Sequence, residues 1–145
     1  MTITLADVNE TVRVEHEHLR GAAADGTLAE LCDRHDLDLL VVFGSVLADG
    51  NDPQDLDVAV RLGSGDQAHD TLKILDDLYR LTGSERIDLL VLNRVGPLAR
   101  ERALTTGEPL FQRKPGTFAN AQIAAIMERL DTDRFRAMDL QLMSS

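Results

Sequence analysis

Two apolar segments of different pattern lie close together in the first half of the chain, and they set the fold class. Residues 37–43 form a nearly continuous apolar run, whereas residues 55–62, DLDVAVRL, alternate between apolar and polar side chains. The first pattern is typical of a strand buried on both faces, and the second of a strand with one open face. Because only about a dozen residues join the two strands, we expect a mixed sheet.

The rest of the chain reads as helices and short strands around this pair. Helices are predicted over 4–20, from Thr27 to about 35, and over 66–82, 95–106 and 117–143, with strands at 86–93 and 108–112. Residues 21–26, GAAADG, read as a break, and Thr27 with Glu30 reads as a capping box. A break is also expected at 131–133.

These elements predict one α+β domain, a mixed β-sheet flanked by helices. We divide it into an N-terminal helical extension (1–26), a core (27–112) and a C-terminal helical segment (113–145) that packs on the core or on a partner. In the 66–82 segment, Ala68, Leu72, Leu75 and Tyr79 have helical spacing.

Composition narrows the possible function and location. The formal charge is −10, which repels nucleic acid and argues against direct DNA or RNA binding. The single cysteine, Cys32, cannot form a disulfide within the chain, the N-terminus is too polar for a signal peptide, and no apolar run is long enough to span a membrane. We therefore expect a cytoplasmic protein.

Three aspartates interrupt otherwise apolar strands. Asp55 and Asp57 are two residues apart and so leave the same face of their strand, while Asp88 interrupts the strand at 86–93. If the two strands are adjacent, the three carboxylates converge, and a divalent cation would turn their mutual repulsion into attraction. Mg²⁺ is the natural candidate because it takes oxygen ligands and is shared between carboxylates and substrate phosphates.

A Gly-Ser pair follows the first buried strand. Gly44 lets the backbone approach a ligand closely, and Ser45 is predicted to cap a short helix with its hydroxyl and nearby amides facing phosphate oxygens. Alone, a D-L-D strand is typical of an exposed face and Gly-Ser of a turn. Together, carboxylates beside a phosphate cradle indicate phosphoryl or nucleotidyl transfer.

The order strand, Gly44-Ser45, loop, Asp55-Leu-Asp57, helix, then Asp88 resembles the polymerase-β-like nucleotidyltransferases. The small size resembles the minimal nucleotidyltransferase (MNT) branch, whose members include antitoxins of HEPN-domain RNase toxins. The resemblance covers about residues 27–112. It implies that Gly44 and Ser45 contact the triphosphate and that the three aspartates hold metal, with Asp88 also activating the attacking hydroxyl.

The resemblance also implies a reaction and a partner. AMP would be transferred from ATP, with about two Mg²⁺ ions, to a hydroxyl such as tyrosine on a HEPN toxin, with which a hetero-oligomer can form. However, no basic residue lies between Ser45 and Arg61, where many relatives carry arginines. Two alternatives remain open: an antitoxin that neutralises its toxin by binding alone, and a small-molecule nucleotidyltransferase of the aminoglycoside-modifying kind.

Overall fold

The structure is a computed structural model that describes residues 5–48, 53–65 and 68–143. Its helices are α1 (Leu5–Asp25), α2 (Thr27–Arg34), α3 (Thr71–Thr82), α4 (Pro97–Thr106) and α5 (Thr117–Met143). Its strands are β1 (Leu37–Phe43), β2 (Leu56–Leu62), β3 (Ile87–Val91) and β4 (Glu108–Gln112), and one 3₁₀ turn covers Ser45–Leu47.

The strands form a single sheet in the order β3-β2-β1-β4. The sheet is mixed, as expected from the short connection between its first two strands. Strand β1 pairs antiparallel with both β2 and β4, whereas β2 pairs parallel with β3. The central position of β1 explains its continuous apolar run, because helices cover both of its faces.

The two faces of the sheet carry different cores. Helices α1, α2 and α3 cover one face with a large core that takes Leu56, Val58 and Val60 of β2. Helices α4 and α5 cover the other with a smaller core that takes Ala59 of the same strand. The alternation of β2 thus divides its side chains between the two faces, as the sequence predicted.

Helix α1 belongs to the larger core. It buries Val12 and Leu19 against the sheet side of the molecule. The predicted break at 21–26 is wrong, because α1 continues to Asp25 and only Gly26, at φ 91°, separates it from α2. Glycine adopts a positive φ readily, so a single glycine is enough to end the helix here.

The capping box predicted at Thr27 is also wrong. Gly26 takes the cap position without a side-chain hydrogen bond, and Thr27 is the first helical residue. The backbone amide and hydroxyl of Thr27 both donate to Asp25 Oδ1, at 2.9 and 2.7 Å. At this junction the side chain of Asp25, the last residue of α1, is therefore the acceptor, and Thr27 is the donor.

Helix α3 begins later than predicted. Residues 66 and 67 lie outside the described residues, and the helix starts at Thr71 after Asp70, whose side chain accepts from the amides of Leu72 and Lys73. Leu72 is 77% exposed, while Ile74 and Leu78 are fully buried, so the apolar spacing that includes Leu72 does not mark the most buried face. Gly83 ends the helix as predicted.

Helix α5 runs without the predicted break at 131–133. It packs mainly on α4 and buries only the small side chains of Ala121 and Ala125. Its large apolar side chains are exposed, and we call this set the outer apolar surface of α5: Ile123, Ile126, Met127, Leu130, Phe135, Met138, Leu140, Leu142 and Met143. Apolar residues therefore lie on both sides of this helix. None of the described helices is long and apolar enough to cross a membrane.

Candidate active site

The parallel pairing of β2 with β3 brings two of the predicted aspartates together. Asp57 and Asp88 are direct partners across the two strands, and Phe43 at the end of β1 pairs with Asp57 on its other side. Asp55 lies in the bend just before β2 and is exposed. The adjacency of the two strands, which was the condition for the carboxylates to converge, is therefore met for Asp57 and Asp88.

The charged form of Asp57 is disfavoured in the folded protein. Burial, together with the negative charges of Asp88 and Asp55, raises the pKa of Asp57 to about 6. Within the described residues, none of the three aspartates forms an ion pair with a lysine, arginine or histidine. A carboxylate cluster without a counter-charge fits a cation, which would relieve the repulsion.

The three carboxylates are suitable ligands for a cation, but the structure does not bring all three together. Among the residues that the structure describes, no three His, Cys, Asp or Glu side chains are grouped closely enough to hold a metal ion. Asp57 and Asp88 provide the converging pair, and Asp55 is near enough to act on Asp57 electrostatically. Mg²⁺ usually takes one or two carboxylates and completes its shell with water and substrate phosphate.

Gly44 is required at its position by two independent constraints. Its backbone lies at φ 84° and ψ −156°, a region that is essentially accessible only to glycine. A Cβ added there would overlap Oδ2 of Asp57, so the backbone lies directly against the carboxylate. The backbone of Gly44 therefore closely approaches Asp57, and its close approach to a ligand stays a prediction.

Ser45 begins the 3₁₀ turn but does not cap it. Gly44 occupies the cap position, and no side chain forms a capping hydrogen bond there. The turn is closed by the amides of Leu47 and Ala48, which donate to the carbonyls of Gly44 and Ser45, both at 3.2 Å. The predicted capping role of Ser45 was wrong, and its predicted contact with phosphate stays a prediction.

A cleft of about 450 Å³ opens over the carboxylate pair on the α4 side of the sheet. We call it the carboxylate cleft, and its lining residues are Phe43, Gly44, Asp57, Asp88, Leu90, Ala99, Arg102 and Thr106. Ser45 and Asp55 are not among them. The cleft therefore joins the turn, the two partner aspartates and one face of α4.

Arg102 is the site residue that the sequence prediction missed. It is the basic side chain of the carboxylate cleft, and it reaches the site from α4 instead of from the loop after Gly44. In the sequence, Ala99, Arg102 and Thr106 are three and four residues apart, which places them on one face of α4. This spacing is the signal by which Arg102 could have been found. A cation beside developing phosphate charge stabilises phosphoryl transfer.

Comparison with known proteins identifies the family. Residues 27–116 match the family model described as polymerase beta, nucleotidyltransferase. This match spans most of the chain, including every strand of the sheet and both partner aspartates. The chain belongs to the polymerase-β nucleotidyltransferase family. No curated protein matches the sequence.

Solved structures share the fold at low sequence identity. One is a toxin–antitoxin complex with AMP-PNP (17% identity, TM-score 0.61), and another is a mutant of the toxin–antitoxin pair MntA–HpeT (15%, 0.60); each match covers 83% of this chain and 98% of the other. A third is the tri-AMPylated HEPN toxin of Shewanella oneidensis in complex with its MNT antitoxin (16%, 0.59), covering 87% of this chain and 99% of the other. The fold expected from the sequence resemblance is confirmed.

Proposed function

We propose that this protein is a Mg²⁺-dependent nucleotidyltransferase that transfers AMP from ATP to a hydroxyl of a HEPN RNase toxin and thereby acts as its antitoxin. The observation that carries the proposal is the register of β2 and β3, which sets Asp57 beside Asp88 against the backbone of Gly44. The fold shared with toxin–antitoxin complexes, one of them with an AMPylated toxin, supports the choice of partner. A reaction that consumes ATP also supports the cytoplasm as its location.

Each site residue has a proposed role in the transfer. Asp55, Asp57 and Asp88 would hold Mg²⁺, and bound Mg²⁺ neutralises charge on the attacking and leaving oxygens. Asp88 takes the proton from the acceptor hydroxyl as the new bond between oxygen and the α-phosphorus forms. The bond to the pyrophosphate oxygen breaks, and pyrophosphate leaves with that electron pair.

The remaining residues position the phosphates. Gly44 carries no side chain, so the turn lies directly against the Asp57 carboxylate that would hold Mg²⁺ beside the phosphates. Ser45 is proposed to contact the triphosphate through its hydroxyl. Arg102 is proposed to supply positive charge in the carboxylate cleft, which compensates for the missing arginines after Gly44-Ser45.

The outer apolar surface of α5 is the proposed docking surface for the toxin. Nine large apolar side chains of this helix are each at least 40% exposed, and exposed apolar patches mark interaction surfaces. From Asp133 to Met143, every residue of α5 is exposed. The net charge of −10 favours a basic partner, as an RNA-binding toxin would be.

The experiment that tests this function is mass spectrometry of the proposed HEPN toxin partner, after incubation with this protein, ATP and Mg²⁺. We expect the toxin mass to increase by one or more AMP groups, and the increase to disappear with Asp55→Asn plus Asp57→Asn. Tandem mass spectrometry identifies the acceptor, which we propose to be tyrosine.

Neutralisation by binding alone is the second candidate, because the outer apolar surface of α5 could hold a partner without any chemistry. An unmodified toxin, inactive in a stable complex with the wild-type protein, would establish this alternative and contradict the transfer.

A further inference from the structure

A second cavity lies on the α4–α5 face of the sheet, at the opposite end of β2 and β3 from the carboxylate cleft. Its volume is about 290 Å³, and it is enclosed by the ends of these two strands, α4 and α5. We call it the alanine hollow, and its lining residues are Arg61, Leu92, Asn93, Arg100, Leu104, Ala121, Ala124, Ala125 and Glu128. Because α5 contributes three alanines here, it leaves a gap that larger side chains would fill.

The two arginines of the alanine hollow differ in their partners. Arg100 is fully engaged: its Nε and Nη2 donate to the carbonyls of Leu92 and Val95 at 2.8 and 2.6 Å. Its Nη1 donates to Glu128. Arg61 is exposed, and in the part of the chain that the structure describes it forms no ion pair. The hollow therefore offers apolar walls beside an available guanidinium, which suits an apolar side chain that has a carboxylate next to it.

The side of α5 that lines the hollow continues beyond it as an exposed stripe. Residues three and four apart lie on one face of a helix. From Ala124 onward this face carries Glu128, Asp131, Phe135, Met138 and Leu142, and we call it the Phe135 stripe. Phe135 is 67% exposed. It lies 11 residues beyond Ala124, or about 16 Å along the helix, so it cannot fill the hollow of its own chain.

The Phe135 stripe differs from the apolar side chains in the first half of α5. Ile123, Met127 and Leu130 are also three and four residues apart, but they lie about 100° around the helix from the stripe. Beyond Leu130 their side of the helix continues with Asp133 and Arg134. The outer apolar surface of α5 therefore has two parts that face different ways, and one partner need not cover both.

The alanine hollow and the Phe135 stripe of two copies are complementary in shape. In an antiparallel pair of α5 helices, a two-fold axis midway between residues 124 and 135 places Phe135 of each copy opposite Ala124 of the other. The same axis places Met138 opposite Ala121. Large exposed side chains of one copy thus meet the small side chains that line the hollow of the other, as knobs meet holes between packed helices.

The charges agree with this register. It places Asp131 of one copy opposite Glu128 of the other, whose charge Arg100 already balances. Asp131 is exposed, and no ion pair of its own is found among the described side chains. Arg61, which lines the same hollow as Glu128, is therefore available as the counter-charge. Because the axis is two-fold, the contact between Arg61 and Asp131 would occur twice.

We propose that two copies of this chain associate through this face, with Phe135 of each copy in the alanine hollow of the other and Arg61 paired with Asp131. The inference does not depend on nucleotidyl transfer. It narrows the docking surface of the toxin to the first half of α5, and it explains why every residue from Asp133 to Met143 is exposed in a single chain.

The test is sedimentation equilibrium of the full chain without toxin, over a range of protein concentrations. We expect the wild type to reach twice the 16.0 kDa of one chain. Phe135→Asp should raise the Kd of the dimer about thirtyfold or more, the loss typical of an aromatic hot spot. The matched control is Leu130→Asp, because Leu130 is similarly exposed on the other part of the surface, and this variant should dimerise as the wild type does.

An exchange of charges tests the proposed ion pair. Arg61→Asp and Asp131→Arg should each raise the Kd of the dimer about tenfold or more, because each variant sets like charges opposite one another. The double variant restores opposite charges and should dimerise nearly as well as the wild type. If the double variant shows the sum of both losses, the contact between Arg61 and Asp131 is wrong.

Two further outcomes would overturn the proposal. A wild type that stays a monomer at every concentration would exclude the dimer, and a loss of toxin binding in Phe135→Asp would then assign the alanine hollow to the toxin. A dimer that is equally stable in Phe135→Asp and the wild type would show that the copies associate through another surface.

Discussion

The two faces of the sheet are built from the same strands and have opposite character. Among the described residues, seventeen buried side chains form the core on the α1–α3 face, whereas eight form the core under α4 and α5, and half of those eight are alanines. The smaller cover leaves the end of that face open over Asp57 and Asp88. The α1–α3 face therefore contributes more apolar burial to the stability of the fold. The α4–α5 face contributes less and contains the charged carboxylate cleft.

The comparison is sharpest within β2, where neighbouring residues face opposite ways. Leu56 is fully buried in the larger core, so Leu56→Ala should lower the free energy of unfolding by about 2–5 kcal/mol through lost burial and a residual cavity. Asp57→Asn, one residue along, should not lower it. Urea denaturation of both variants in EDTA measures the two changes in the free energy of unfolding. Equal decreases would contradict the claim that Leu56 stabilises the fold and the Asp57 charge does not.

Gly44 tests how tightly the turn is pressed against the open face. Gly44→Ala combines a backbone conformation reserved for glycine with an overlap onto the Asp57 carboxyl, and should cost about 1–3 kcal/mol. The matched control is Gly21→Ala within α1, where an added Cβ meets nothing within 4 Å and should stabilise the helix by about 0.5–1 kcal/mol. Opposite signs in thermal or urea unfolding are expected. A neutral Gly44→Ala would show that the turn yields easily.

The pH dependence of the free energy of unfolding measures how unfavourable the charged form of Asp57 is in the folded protein. Because the pKa of Asp57 is raised to about 6, the folded state holds this proton more tightly than the unfolded state does. The resulting stabilisation is complete below about pH 4 and is lost as the pH rises through about 6. The carboxyl is partly exposed, so screening limits the effect to about 1–2 kcal/mol. In EDTA, Asp57→Asn should gain on the wild type between pH 4 and 7, and parallel curves would contradict this.

The smallest effect on stability is expected on α5. Leu130→Asp alters an exposed side chain and should change the free energy of unfolding by no more than about 0.5 kcal/mol. It should nevertheless weaken toxin binding markedly, because a charge would be buried in the proposed interface. Leu72→Asp on α3 is the control, since Leu72 is also exposed but lies away from α5. Co-purification with the toxin that is equally strong for both variants would exclude this docking surface.

The features that could be predicted from the sequence are those that local interactions determine. The alternation of β2 determines which of its side chains share a face, so the placement of Asp57 opposite Leu56 and Val58 could be predicted. The pairing of Asp57 with Asp88 could be stated only as a condition, because the local pattern does not determine which strands are neighbours. The face of α3 could not be predicted, because Leu72, Leu75 and Tyr79 form one apolar stripe and Ile74 and Leu78 form another. Only packing against the sheet selects between them.

The basic side chain of the carboxylate cleft illustrates the same limit. Arg102 lies 57 positions after Ser45, so it is not near the Gly-Ser pair in sequence. Tertiary packing of α4 brings it to the cleft beside Gly44. A search confined to the loop after Gly44 therefore finds no basic residue.

The measurement that tests the central claim most directly is thermal unfolding with and without millimolar Mg²⁺ and AMP-PNP, for the wild type and Asp57→Asn. If the open face holds a cation, ligand should raise the midpoint of the wild type, because binding to the folded state stabilises it. Asp57→Asn should respond little, while being at least as stable as the wild type in EDTA. A wild type that does not respond, or a variant that responds equally, would contradict the assignment of these carboxylates to a cation-dependent active site.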